Sequence, residues 1–127
     1  MRCHLRSADR TWFEGEASKV VAESPRGEFA ILDGHAPLLA VLAPGPIRIE
    51  SEGAERVFAA FGGTLRTDRD SVALLVESAT PVEAIDADDV NARIADLQQA
   101  AGDESEPSAT AELDRLRTLL RVKERHG

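Results

Sequence analysis

The chain has 127 residues, 43% hydrophobic and 30% charged, with no Tyr, one Trp and a formal charge of −8. That length suffices for one compact domain with an appendage and not for two domains of ordinary size, and the shortage of aromatics requires an aliphatic core. The acidic balance excludes non-specific nucleic-acid binding, because carboxylates repel phosphates, and the lone Cys3 excludes an internal disulfide framework and a thiolate metal cluster.

The opening Met1-Arg2-Cys3-His4-Leu5-Arg6 lacks the apolar run of a secretory signal and the long amphipathic stretch of a transit peptide, and no apolar run approaches the ~20 residues of a membrane span. The free thiol fits a reducing compartment. The expectation is a cytoplasmic chain that meets a membrane only through other proteins.

To about residue 83 the chain is written in strand lengths. Cys3 and Leu5 alternate with Arg2, His4 and Arg6, and Val20-Val21 follows an expected bend at Gly15. Next comes Gly27-Glu28-Phe29-Ala30-Ile31-Leu32-Asp33-Gly34-His35-Ala36-Pro37-Leu38-Leu39-Ala40, which reads as two short strands around a polar bend. Phe29, Ile31, Leu38 and Leu42 are expected in the core, and His35, between Gly34 and Ala36, is expected to be open to a partner. Ile47 and Ile49 alternate with Arg48 and Glu50, and two apolar runs follow at residues 57–61 and 72–76. Ser24-Pro25-Arg26-Gly27, Ser51-Glu52-Gly53 and Thr67-Asp68-Arg69-Asp70 are turns. Short strands at this spacing predict an antiparallel β-sandwich or flattened barrel.

Near Ile85 the hydrophobic period changes from two to about three and a half. Asp86 caps a predicted helix, Asp88 and Asp89 sit in its positive first turn, and Val90, Ile94 and Leu97 mark one face as far as Gly102. Residues 102–108 read as a polar connector, after which Leu113, Leu116 and Leu120 mark a second helix, expected to pack antiparallel on the first. The predicted organisation is a β-sandwich over residues 1–84 and a helical hairpin over 85–127. Charge divides along similar lines: residues 1–110 hold 10 Lys+Arg against 20 Asp+Glu, and residues 111–127 hold 5 against 3. Arg117, Arg121 and Arg125, spaced by four, form a stripe that fits either a solvated face or an acidic partner.

Catalytic chemistry is hard to find in this pattern. His4, His35 and His126 stand far apart with no metal-binding spacing, and Gly62-Gly63 falls between two predicted strands, reading as a bend or bulge instead of a phosphate cradle. Glu28 has no second carboxylate at a meaningful spacing; with His35 it makes a candidate contact patch on one edge. Two rival readings stay open: a small metal- or ligand-binding β-sandwich protein using His35 and Glu28, and a free nucleotide sensor built on the hairpin.

The run from Gly27 to Leu39, then Leu42-Ala43-Pro44-Gly45-Pro46-Ile47-Arg48, Phe61-Gly62-Gly63-Thr64-Leu65, Glu77-Ser78-Ala79 and Ile85-Asp86 resembles the epsilon subunit of F-type ATP synthases. The match runs in order along the chain and includes Trp12-Phe13-Glu14-Gly15-Glu16-Ala17. The resemblance implies a non-catalytic rotor subunit without a cofactor or metal, bound to the gamma subunit and resting on the membrane ring of c subunits. It also implies a location at the cytoplasmic face of a bacterial plasma membrane or at a plastid thylakoid membrane. It places Glu28 and His35 toward the c ring. It further implies that the C-terminal helices can extend toward the catalytic beta and alpha subunits and hinder ATP hydrolysis, with Arg115, Arg117, Arg121, Lys123 and Arg125 as the docking charges. Nucleotide-binding members carry Ile/Leu-Asp-x-x-Arg-Ala. Here Ile85-Asp86-Ala87-Asp88-Asp89 puts an acid in the arginine position, which repels phosphate, so weak ATP binding or none is expected despite Arg93 one turn on.

Overall fold

The structure, a computed structural model, describes residues 1–101 and 107–127, with residues 100–101 and 107–109 described by their backbone alone. In chain order the strands are β1 (Arg2–Arg6), β2 (Thr11–Glu16), β3 (Lys19–Ser24), β4 (Gly27–Leu32), β5 (Leu38–Val41), β6 (Gly45–Ser51), β7 (Ala54–Thr67) and β8 (Ser71–Pro81). A 3-10 turn, Val82–Ala84, precedes helices α1 (Ala87–Ala101) and α2 (Pro107–His126). The chain divides into two compact units, Met1–Pro81 and Val82–Gly127.

The strands hydrogen-bond in the order β2-β1-β8-β7-β6-β3-β4, with β5 paired to β7 beside that path. All pairs are antiparallel except β1 with β8, which runs parallel. A parallel pair needs a long connection, and here the intervening strands of the sandwich supply it.

One continuous ladder becomes a sandwich because β7 and β8 exchange faces midway. On β7, Phe58 and Ala60 are core residues before the glycines and Leu65 after them; on β8 the core positions change from Val72, Leu74 and Val76 to Ala79. Side chains alternate strictly along a strand, so this change of parity means that each strand has turned over. Gly62 (φ 65) and Gly63 (φ 129) provide the turn, in a region of backbone space that side-chain-bearing residues rarely adopt. The pair therefore lies inside one strand and not between two as expected, and β7 and β8 keep the same register from Phe58↔Pro81 to Thr67↔Val72, skipping only the position of Gly62 and Glu77. On its other side β7 binds β6 up to Gly45↔Ala60 and β5 from Val41↔Thr64.

The core is aliphatic around Phe58, with Leu5, Val20, Ile49, Leu65, Val72 and Leu74 fully buried. Ile31 and Leu42 join it and Phe29 packs against it, but Leu38 is 43% exposed. Leu38 is on an edge strand whose other neighbours are few, so its apolar character does not place it inside. The expected bend at Gly15 is strand: Gly15 pairs with Cys3 inside β2, and the chain turns at Ala17-Ser18. Ser51↔Ala54 closes a two-residue hairpin with positive φ at both Glu52 (52) and Gly53 (78), the geometry that matches strand twist.

In the second unit Asp86 Oδ1 accepts the Asp88 and Asp89 amides at 3.0 and 3.2 Å, an N-cap as expected. Val90 is buried and Ile94 and Leu97 are half-buried along α1, which packs on α2. The apolar face of α2 is rotated from the expected one: Leu116, Leu119 and Val122 are buried, whereas Leu113 and Leu120 are half-buried. Pro107 and Ser108, read as connector, belong to α2; proline at the first helical position loses only an amide that has no helical partner. The rest of that connector, residues 102–106, lies outside the described residues.

Candidate functional site

The bend between β4 and β5 is held from both ends. Gly34 takes φ 81, and Asp33 Oδ1 accepts the α-amino group of Met1 at 2.8 Å. His35 is half-buried and not open as expected, because its ring folds back over its own bend. Its Nδ1 lies 2.8 Å from the Leu32 carbonyl oxygen, which can only accept, so Nδ1–H donates and the neutral ring keeps its lone pair on Nε2. That Nε2 is buried without a hydrogen-bond partner among the described residues.

Glu28 lies at the other end of β4, exposed, opposite Glu23 in the β3–β4 register. Arg48 Nη2, on β6, stands 4.0 Å from Glu28 Oε1. A pair this long, with the Glu28 carboxylate in solvent, contributes at most about 1 kcal/mol. From Glu28 to Leu32 is four strand steps, or ~13 Å. The structure thus sets Glu28 and His35 at opposite ends of one strand, not side by side in one patch.

On α2, Arg117, Arg121 and Arg125 are exposed and Arg115 is half-buried. Arg117 and Arg121 share a shallow groove of about 290 Å³ with Asp114 and Thr118, so the stripe carries an acid within it. Lys123 differs from the rest: its Nζ donates to the Val82 carbonyl at 3.3 Å, tying α2 to the 3-10 turn. Lys123, Arg125 and His126 occupy the last turn, where positive charge meets the negative helix end. At the start of α1, Asp86, Asp88 and Asp89 stand where an anion would bind, and the Asp86 carboxylate already takes the first amides.

Sequence reasoning missed one surface. Leu39, Val41 and Leu75 are 71%, 64% and 57% exposed on the outer face of β5, β7 and β8, beside a cleft of about 370 Å³ lined by His4, Arg6, Thr64 and Arg66. The signal was present in the unbroken apolar run Leu38-Leu39-Ala40-Val41, which does not alternate as a half-buried strand should. Among the described residues no group of three or more His, Cys, Asp or Glu gathers as a metal site would.

An aliphatic β-sandwich carrying charged side chains on its surface, followed by two packed helices, is the class of protein that the fold defines. Residues 1–82 match the family described as ATP synthase, Delta/Epsilon chain, beta-sandwich domain. The ATP synthase epsilon chain of Chromohalobacter salexigens is 37% identical over 109 residues, covering 85% of this chain and 69% of that one. The epsilon chain of Parvibaculum lavamentivorans is 34% identical over 91% of each, and that of Synechococcus sp. WH7803 is 33% identical over 92% of this chain and 87% of its own. The chain belongs to the ATP synthase epsilon chain family and is an accessory subunit of a rotary ATP synthase. Its fold is shared with a chain of the Euglena gracilis mitochondrial ATP synthase, with TM-score 0.74 and 22% identity over 96% of this chain and 76% of that one. Membership sets aside both the free nucleotide sensor and the small metal- or ligand-binding protein.

Proposed function

We propose that this chain is a mechanical coupler in the central stalk, seated between a gamma subunit and the ring of c subunits at the cytoplasmic face of a bacterial plasma membrane. The observation that carries this reading is the family match over a sandwich whose interior is filled by side chains, so that force applied at one face reaches another without deformation. Chains of the same fold occur in a mitochondrial ATP synthase assembly that holds F1 and the c-ring and in another that holds the central stalk and c-ring. Bacterial and cyanobacterial relatives agree with the location.

Glu28 and His35 are the contacts to the c ring. Two contacts at opposite ends of a stiff strand fix an orientation, where a single one would act as a pivot. The exposed Arg117, Arg121 and Arg125, with Arg115, present α2 to acidic segments of the catalytic beta and alpha subunits and so restrain hydrolysis; Lys123 contributes by holding α2 to its own unit. Nucleotide does not engage the start of α1, because Asp89 opposes a phosphate there.

Single cysteines at Glu28 and at His35, in a Cys3→Ala background, test the ring contact. Crosslinks to c subunits from both positions in native membranes are expected. No crosslink from either position removes the contact.

A further inference from the structure

β5 is paired on one side alone. Its partner is β7, in the register Leu38↔Thr67, Leu39↔Arg66, Ala40↔Leu65, Val41↔Thr64, and among the described residues no strand borders its other side. The direction of each backbone group follows from two hydrogen bonds. Leu42 N donates to Gly63 O at 2.9 Å and Leu38 N to Thr67 Oγ1 at 2.8 Å, so residues 38, 40 and 42 turn their backbone groups toward β7. In an antiparallel pair these positions alternate, which leaves the N–H and C=O of Leu39 and Val41 aimed at the open edge.

Proteins ordinarily blunt such an edge with a charge, a proline or a bulge. Leu38-Leu39-Ala40-Val41 contains none of these, and the two residues with outward backbone groups also hold the most exposed large hydrophobic side chains among the described residues. The adjoining surface has the opposite sign from the protein as a whole. Arg66, directly across from Leu39, lines one cleft with Leu38 and Leu39 and a second with His4 and Arg6, in a chain of net charge −8. Asp68 borders the first cleft and its negative charge interacts with Arg66; its Oδ1 also accepts the Ser71 hydroxyl at 2.8 Å and the Ser71 and Asp70 amides, so Arg66 is shared with an acid of its own chain while His4 and Arg6 keep the second cleft basic. Glu14 lies beyond the second, 3.8 Å from Arg6.

We infer that β5 is a docking edge for an extended segment of another protein in which apolar residues alternate with carboxylates. The segment adds as a further strand, hydrogen-bonding to Leu39 and Val41, with its apolar side chains on Leu39 and Val41 and a carboxylate on Arg66. This surface is separate from Glu28, His35 and the α2 stripe, and the inference stands or falls apart from those contacts.

Amide exchange of the full chain, alone and within the complex recovered from its native membranes, tests it. In the free chain the Leu39 and Val41 amides should exchange readily while the Ala40 amide is protected; in the complex the first two should slow about a hundredfold. Val41→Pro removes only an outward N–H, so the free chain should keep its unfolding temperature while its affinity for the complex falls about tenfold. Arg66→Glu should weaken binding similarly. A photocrosslinker at Leu39 should attach to an extended segment bearing Asp or Glu. Unchanged exchange at Leu39 and Val41 in the complex overturns the inference, as does full incorporation of Val41→Pro. Protection in the free chain that grows with its concentration would make a second copy the occupant and overturn it equally. Recovery of the complex tests the stalk assignment independently.

Discussion

A methyl group at Gly63 would lie 2.0 Å from the carbonyl oxygen of Leu75 and 2.8 Å from the Cα of Val76. Both neighbours are backbone of the paired strand, which cannot give way without breaking the β7–β8 ladder at the point where the sandwich turns over. Gly63 also holds φ 129, so any other residue is strained even with space. Gly63→Ala is expected to lose about 3 kcal/mol or more, from overpacking and backbone strain together. Urea unfolding measures it, and a loss below ~1 kcal/mol would mean that the two strands do not cross between layers here.

The Cys3 thiol should be inert in the folded chain. It is fully buried, and burial pushes its pKa up to about 12 by disfavouring the thiolate. A thiol reagent at neutral pH should label Cys3 no faster than the sandwich opens, and labelling should become immediate in denaturant. Rapid labelling of the native chain would place β1 outside the core.

Stability should decline as pH falls through the histidine range. His4 is held below its ordinary 6.5, first by partial burial and then by Arg6 and Arg2, against the opposing pull of Glu14. The unfolded chain therefore binds the proton first, so stability is present above pH 6.5 and is lost as pH drops through the lowered folded value. Thermal unfolding between pH 8 and pH 5 should show this fall, and His4→Gln should flatten it. An unaltered slope in the variant would assign the fall to other groups.

Reversal of the helical stripe separates docking from solvation. Arg117→Glu, Arg121→Glu and Arg125→Glu together should raise ATP hydrolysis by the reconstituted complex several-fold while leaving the assembly intact. Equal hydrolysis by the two forms would make these arginines solvated surface.

The fold was legible where chemistry is local. Alternation of Cys3 and Leu5, or of Ile47 and Ile49, states a half-buried strand, and Asp86 before Asp88-Asp89 states a helix start, because each depends on neighbours within a few residues. What escaped depends on partners distant in sequence. Gly62-Gly63 looks like a break between strands until β8 is seen to keep register across it. Leu38 looks like core until β5 proves to be an edge. The parallel pairing of β1 with β8 joins the two ends of the sandwich, which no local pattern encodes. On α2, leucine spacing selected Leu113, Leu116 and Leu120, but Val122 is buried where Leu120 is half-exposed, since the packing partner and not residue type sets the face.

The candidate site divides in the same manner. Glu28 and His35 could be named from the sequence because turn residues isolate them, yet their separation required the length of β4. The partial burial of His35 required the Leu32 carbonyl, and the engagement of Lys123 required the Val82 carbonyl. Arg48 beside Glu28 is visible only through strand order β6-β3-β4.

As an accessory subunit of a rotary ATP synthase, this chain should work attached to that machine and not alone. The most direct measurement is affinity purification of the tagged full chain from native membranes, with the composition and ATP-hydrolysing activity of the recovered material determined together. Recovery with a gamma subunit, the hydrolytic head and the c ring in constant proportion is expected. Recovery as a free chain, with no gamma subunit and no hydrolytic activity in the same fraction, would contradict it.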